Sequence, residues 1–306
     1  MALEKNSGRE NALWKADKRT ENTKHIIYSG EESLIAGELE SISSSYGNFL
    51  IEMRRKANLE REDGLVGDNY LMISDLGIYA VFDGVGLSSG DSASSFGVSK
   101  LLEKKWQQYS SEEINKLSLE EIHNLILKVV KDVQTCFFEI NKEKSSNFLT
   151  TFSMVKIHKG YCLVASVGDS PVFLQTDHDI EQITIAHDKI REGFRDNGGK
   201  KLPSSIDELV DTNFNFDKEG LQARQRNPGI IRNNPTSFVG RKEGSAVDFY
   251  VRKLEKGNII LLASDGAIEN IDKLSMNTKD SLQKVADGLV ENFYQDDDAT
   301  ILLLKN

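Results

Sequence analysis

Ile78-Tyr79-Ala80-Val81-Phe82-Asp83-Gly84 decides the reading of this chain. The apolar run has the length of a buried strand and stops at an aspartate followed by glycine. The same device recurs at Leu261-Leu262-Ala263-Ser264-Asp265-Gly266, again after an apolar run. Asp297-Asp298-Ala299-Thr300 stands just before a final run, Ile301-Leu302-Leu303-Leu304, and Asp68 in Val66-Gly67-Asp68-Asn69 stands just before Tyr70-Leu71-Met72-Ile73. An Asp-Gly step after a strand is a common turn. Its repetition at separate strand ends points instead to carboxylates converging on one all-oxygen site, which suits a hard cation such as Mg²⁺ or Mn²⁺. Glycine beside such an aspartate lets backbone approach closely, so that the Gly84 carbonyl can serve as a further ligand.

Outward from these runs the pattern alternates between long stretches of strand and a few helices. A helix is expected over 92–107. A second begins at the capping box of Ser118 and Glu121 and continues through Ile122, Leu125, Ile126, Val129, Val133, Phe137 and Ile140. Strands are expected at 150–157, 161–167, 171–175, 249–251 and 259–263, with a helix through Leu282, Val285, Ala286, Leu289, Val290 and Phe293. In 161–167 both alternating sets are apolar or small, as in a sheet covered on both faces. This is an α+β pattern, with antiparallel sheets and helices outside them. Residues 1–45 are polar and weakly patterned apart from His25-Ile26-Ile27-Tyr28, and read as an N-terminal extension, either a free tail or a docking arm. One domain spans 46–306. Within it 187–240 is rich in Asn, Gly, Arg and Lys, holds Pro203, Pro228 and Pro235, and reads as an irregular flap that would govern substrate choice.

The formal net charge is −10 with a sequence pI near 5.2, which disfavours nucleic acid and anionic membranes as partners and fits a monomer. Cys136 and Cys162 have no ligand-spaced partner, which fits a reducing, cytoplasmic setting rather than a zinc site or disulfide framework. No run approaches ~18 apolar residues, and the first residues lack the apolar segment of a secretory signal. His123, His158, His178 and His187 have no metal-ligand spacing and read as structural.

Taken in order, Val81-Phe82-Asp83-Gly84-Val85-Gly86, Ala165-Ser166-Val167-Gly168-Asp169-Ser170, Leu262-Ala263-Ser264-Asp265-Gly266 and Asp297-Asp298-Ala299-Thr300 resemble the metal-dependent protein phosphatases of type 2C, the PPM family. The resemblance runs from about Tyr46 to the C-terminus, and the Gly-Asp-Asn-Tyr form at 67–70 looks like the bacterial sporulation and stress-response branch. It implies a four-layer αββα sandwich and hydrolysis of phosphoserine or phosphothreonine in protein substrates. It further implies that Asp83 bridges two metal ions with the Gly84 carbonyl on the first, that Asp265 and Asp297 hold the second, that Asp68 is the early acidic ligand, and that Asp169 is the position for a third ion. Glu62-Asp63 is an alternative match to the early acidic position. A phosphate-gripping arginine is expected a few residues before that position; Asp63 stands there, and Arg55 and Arg61 are the candidates in its place. Val85 replaces a frequent histidine and Pro171 a frequent arginine. These departures leave a catalytically weak, phosphatase-like binding module as the second reading, and an enzyme acting on a small phosphorylated metabolite as a third.

Overall fold

A computed structural model describes residues 27–30, 39–58, 65–85, 89–177, 179–187, 237–241, 247–268, 279–291, 293 and 297–306. Twelve strands are described: β1 (Ile27–Ser29), β2 (Leu39–Tyr46), β3 (Phe49–Lys56), β4 (Asp68–Ile73), β5 (Ile78–Val85), β6 (Leu149–His158), β7 (Tyr161–Val167), β8 (Val172–Gln175), β9 (Ile180–Gln182), β10 (Asp248–Lys253), β11 (Ile259–Ala263) and β12 (Ala299–Lys305). Four helices accompany them: α1 (Ser89–Trp106), α2 (Ser111–Lys116), α3 (Leu119–Lys144) and α4 (Leu282–Val290). The strands form two antiparallel sheets of six, ordered β1-β4-β5-β6-β7-β10 and β2-β3-β12-β11-β8-β9.

Three apolar layers follow from the two-residue alternation of these strands. Ile78, Ala80 and Phe82 of β5, with Leu163, Ala165 and Val167 of β7, face the helices α1 and α3. Tyr79, Val81, Cys162 and Val164 point the other way and meet Ile260, Leu262, Leu302 and Leu304 between the sheets. The opposite faces of β11 and β12, with Leu261, Ala263, Ile301 and Leu303, are covered by Leu282, Val285, Ala286 and Leu289 of α4. The stack is helix, sheet, sheet, helix, as the motif order implies.

α3 begins as its sequence predicts. The Ser118 side chain accepts from Glu121 N, and the Glu121 carboxylate accepts from Ser118 N. Ile122, Ile126, Val129, Val133 and Phe137 are buried along its inner face. α2 carries its own capping box, Ser110 with Glu113, in a stretch the apolar pattern leaves unassigned. The structure moves one boundary. The polar stretch through residue 45, expected to be an extension, contains β1, paired with β4, and β2, paired with β3 over its whole length. β2 is an edge strand whose inward positions are Glu40, Ile42 and Ser44, so its strand periodicity is hidden by polar residues. Most of the flap expected at 187–240 lies outside the described residues, as do Arg61 and Asp63. Among the described residues no helix is long and apolar enough to cross a membrane.

Candidate metal centre

The antiparallel register of β4 and β5 sets Asp68 directly opposite Asp83 at the end of their ladder. In the other sheet β11 ends at Ala263, Ser264 follows, and Asp265 opens a short 3-10 turn over Asp265–Ala267. Asp297 lies just before β12, beside that turn: a side chain on Gly266 would meet the Asp297 side chain at 3.1 Å. A side-chain hydrogen bond ties the two sheet ends together, from Ser264 Oγ to Asp68 Oδ2 at 2.5 Å. Ser264 Oγ also accepts from Thr300 N at 2.9 Å, so the hydroxyl is held from one side and aimed to the other.

Burial pushes the Asp83 carboxyl well above the usual carboxylate range, and Asp265, Asp68, Asp169 and Asp297 push it further. Asp68 is also raised, first by burial and then by Asp298, with Asp297 and Asp265 adding to it and the Ser264 hydrogen bond opposing. The fold therefore gathers Asp68, Asp83, Asp169, Asp265 and Asp297 within electrostatic reach of one another. Asp68 and Asp83 favour a proton for want of positive charge. Among the described residues, no three His, Cys, Asp or Glu side chains are already closed into a ligand cage. The donor set, oxygen throughout and strongly self-repelling, fits divalent Mg²⁺ or Mn²⁺.

Backbone packing explains the glycines. A Cβ on Gly84 would stand 2.1 Å from the carbonyl oxygen of Asp91 and 2.7 Å from that of Gly67, whose oxygen also accepts from Gly84 N at 3.0 Å. Thr150 Oγ1 donates to the Asp83 carbonyl at 2.7 Å from the neighbouring strand. At Gly168, φ is +100° and a Cβ would press on Thr151 at 2.4 Å, so the turn carrying Asp169 needs glycine on both counts.

Arg55, a candidate phosphate clamp in the sequence, is 1% exposed. Its Nε and Nη2 lie 2.8 and 2.7 Å from Glu40 Oε2, and its Nη1 donates to the Asp68 carbonyl at 3.2 Å. Tyr70 OH donates to the other Glu40 oxygen at 2.7 Å. Arg55 thus stands beneath the acidic cluster as a strut for Asp68.

Other groups that build the site have no motif of their own. Asp298 accepts from Asn58 N at 2.7 Å and from Gly67 N at 2.6 Å, which seats the residue before Asp68. His187 holds the Asp169 turn from behind: its N donates to Gly168 O at 2.8 Å and its Nδ1 accepts from Gly168 N at 3.1 Å. Since Nδ1 accepts, a neutral ring carries its proton on Nε2, which faces Asp248 Oδ2 at 3.0 Å. Tyr250 OH donates to that same carboxylate oxygen at 2.9 Å.

No family model matches the chain. A serine/threonine phosphatase of Listeria welshimeri is 25% identical over 238 residues, covering 74% of this chain and 84% of the relative. The solved structure of PppA, a regulatory component of the type VI secretion system in Pseudomonas aeruginosa, superposes with a TM-score of 0.63 at 17% identity and covers 86% of this chain and 99% of its own. A PPM Ser-Thr phosphatase from Mycobacterium smegmatis, solved with cacodylate, superposes with a TM-score of 0.59 at 18% identity over 89% of this chain and 99% of its own. The chain has the fold of the bacterial PPM phosphatases. The family resemblance carried by the motifs holds, as does the αββα architecture it implies. On the PPM fold the acidic cluster occupies one end of the central sandwich, where four strands from two sheets terminate together.

Proposed function

We propose that this chain is a Mg²⁺- or Mn²⁺-dependent phosphatase that hydrolyses phosphoserine or phosphothreonine in protein substrates. The observation that carries the reading is the pairing of Asp68 with Asp83 across one ladder, with Asp265 and Asp297 of the second sheet close enough to hold protons on both. Asp83, the Gly84 carbonyl, Asp68, Asp265 and Asp297 would hold two ions, and Asp169 would hold a third. Bound there, such ions supply the positive charge that makes water nucleophilic near neutral pH and offsets the charge of the phosphoryl group. Phosphate monoesters hydrolyse very slowly without help, so this charge has a large barrier to lower.

The protein's own part is orientation. Ser264 fixes one oxygen of Asp68 and so leaves the other for coordination. Thr150 fixes the Asp83 carbonyl, and the close approach of Gly67 and Asp91 fixes Gly84. Arg55 and Glu40 hold the Asp68 backbone from below. The Listeria relative, itself a serine/threonine phosphatase, supports the same activity.

The test is hydrolysis of p-nitrophenyl phosphate and of a phosphoserine peptide with and without Mn²⁺. Metal-dependent turnover that falls at least ~100-fold in Asp83→Asn is expected. Turnover absent with metal, or indifferent to Asp83→Asn, would leave the weak binding module as the better reading.

A further inference from the structure

One residue holds both backbone groups of the glycine before Asp169. His187 N donates to Gly168 O at 2.8 Å, and Gly168 N donates to His187 Nδ1 at 3.1 Å. A neighbouring strand would satisfy the two groups with its own N–H and C=O. Here the acceptor is an imidazole nitrogen, so a side chain decides whether the clamp closes. Gly168 stands at φ +100°, where only glycine sits without strain, and an added Cβ would lie 2.4 Å from Thr151, so the turn has little room for another arrangement.

The other side of Asp169 is held from β6. Ser170 O accepts from Ser153 Oγ at 2.5 Å, and Ser170 Oγ lies 2.8 Å from Thr151 Oγ1. Gly168 and Ser170 are buried, while Asp169 between them is half-buried. The backbone is thus fixed on both sides of Asp169, and its carboxylate stands close enough to Asp83 to disfavour a charge there.

The far edge of the His187 ring is oriented by β10. Nε2 lies 3.0 Å from Asp248 Oδ2 but off the line of a hydrogen bond, so this contact is electrostatic. Tyr250 OH donates to the same oxygen at 2.9 Å and accepts from Ile185 N at 3.1 Å, two residues before His187. Asp248 in turn pairs with Ser166, two residues before Gly168. His187 and Asp248 are each 4% exposed, so water does not stand in for either contact without rearrangement.

We propose that His187 is a positioning residue for Asp169, and that its acceptor nitrogen Nδ1 sets how tightly Asp169 holds a divalent ion. The inference rests on the metal centre of the phosphatase reading and goes beyond it, since it gives a residue outside the acidic cluster control over one ion and not the others. Asp68 and the Asp83 backbone are held by Ser264 and Thr150 instead.

Two substitutions divide the two edges of the ring. In His187→Asn the amide oxygen stands where Nδ1 stood, so Gly168 N keeps an acceptor while Asp248 loses its contact. In His187→Gln the amide lies at the Nε2 end, so Asp248 keeps a contact while Gly168 N loses its acceptor. Calorimetric titration of the full chain with Mn²⁺ should show a tighter class of sites and a weaker one, the weaker absent from Asp169→Asn. His187→Gln should loosen the weaker class by about 10-fold or more and leave the tighter class within about twofold, and His187→Asn should leave both within about twofold. A role in stability alone would impair both variants alike. Equal effects of the two substitutions, or a weaker class indifferent to His187→Gln, overturn the proposal.

A measurement on the wild type does not depend on how the variants fold. Coupling is reciprocal, so an ion on Asp169 must in turn hold the clamp shut. Filling the weaker class should slow hydrogen exchange of the Gly168 N–H by about fivefold or more beyond its rate with the tighter class alone filled. Unchanged exchange overturns the proposal. If the wild type hydrolyses p-nitrophenyl phosphate and binds Mn²⁺ in the tighter class only, the phosphatase reading stands and this proposal alone fails. If it neither binds Mn²⁺ nor turns over, the phosphatase reading fails and this inference with it.

Discussion

Ser264 Oγ donates to Asp68 Oδ2 across the gap between the two sheets, at 2.5 Å, while accepting from Thr300 N in its own sheet at 2.9 Å. The residue before one acidic ligand therefore aims another. Both partners are almost wholly buried, so no water can take over the hydroxyl's role without rearrangement.

Ser264→Ala should lower metal affinity or turnover by about 10- to 100-fold, as expected for removal of a group that orients a ligating carboxylate. The loss should appear chiefly as a rise in the Mn²⁺ concentration needed for half activity. Thr300 N also loses its acceptor, at a cost of about 1–3 kcal/mol in urea unfolding. An unchanged Mn²⁺ requirement would show that Asp68 does not depend on this hydrogen bond for its orientation.

Glycines on this scaffold should respond in opposite directions according to what surrounds them. Gly84→Ala forces a methyl against the Asp91 carbonyl at 2.1 Å, which is backbone and cannot swing aside. Overpacking of this kind costs about 1–3 kcal/mol or more, and it displaces the strand end that carries Asp83, so activity and stability should fall together. Gly288 sits within α4 with nothing within 4 Å of an added Cβ. Gly288→Ala should raise stability by about 0.5–1 kcal/mol through helix propensity and a less free unfolded chain, with activity unchanged. Urea midpoints for the two variants check both signs.

Lys156 lies on the helix-facing side of β6, at the far end of the strand from the acidic cluster. Its Nζ donates to Leu76 O at 2.5 Å and Ile157 O at 2.7 Å, both neutral acceptors. Burial lowers its pKa from 10.5 to about 7. Between those values the unfolded chain binds more protons than the folded one, so stability should rise with pH across that window. The slope from this group is at most about 1.4 kcal/mol per pH unit. Comparing urea unfolding at pH 7, 8 and 9 for wild type and Lys156→Met isolates it: the rise should be present in the wild type and absent from the variant. Parallel profiles would mean that Lys156 stays charged in the folded protein.

The acidic positions at strand ends were legible because a buried strand and an Asp-Gly stop are both local in sequence. Asp83 and Asp265 each follow a run of apolar residues and precede glycine, and the fold needs those glycines for backbone approach. What holds these groups is not local. Ser264 meets Asp68, and Asp298 meets Gly67, only because two sheets end side by side. Arg55 in Arg54-Arg55-Lys56 carries the appearance of a solvated charge or a phosphate clamp. Its burial follows from the Glu40 carboxylate on a polar edge strand that sequence periodicity does not reveal. His187 is similar: its role depends on Asp248, which reaches it from β10, 61 residues further along the sequence.

Asp83→Asn separates the cost of the acidic cluster from its use. Burial and Asp265, Asp68, Asp169 and Asp297 all disfavour a charge on Asp83, so its ionised form weakens the metal-free protein near neutral pH. Asparagine keeps the shape and removes that charge. Without metal, Asp83→Asn should therefore be more stable than the wild type, by about 1–3 kcal/mol. With Mn²⁺ the order should reverse. A ligand that binds only the folded state adds about 2.7 kcal/mol at 100 times its Kd, and the wild type should gain on this scale while the variant gains little. Thermal unfolding with chelator and with Mn²⁺ reads both differences in one experiment. If the wild type gained nothing from Mn²⁺, Asp83, Asp265 and Asp297 would be neighbours without being a metal centre, and their convergence from three strand ends would need another cause.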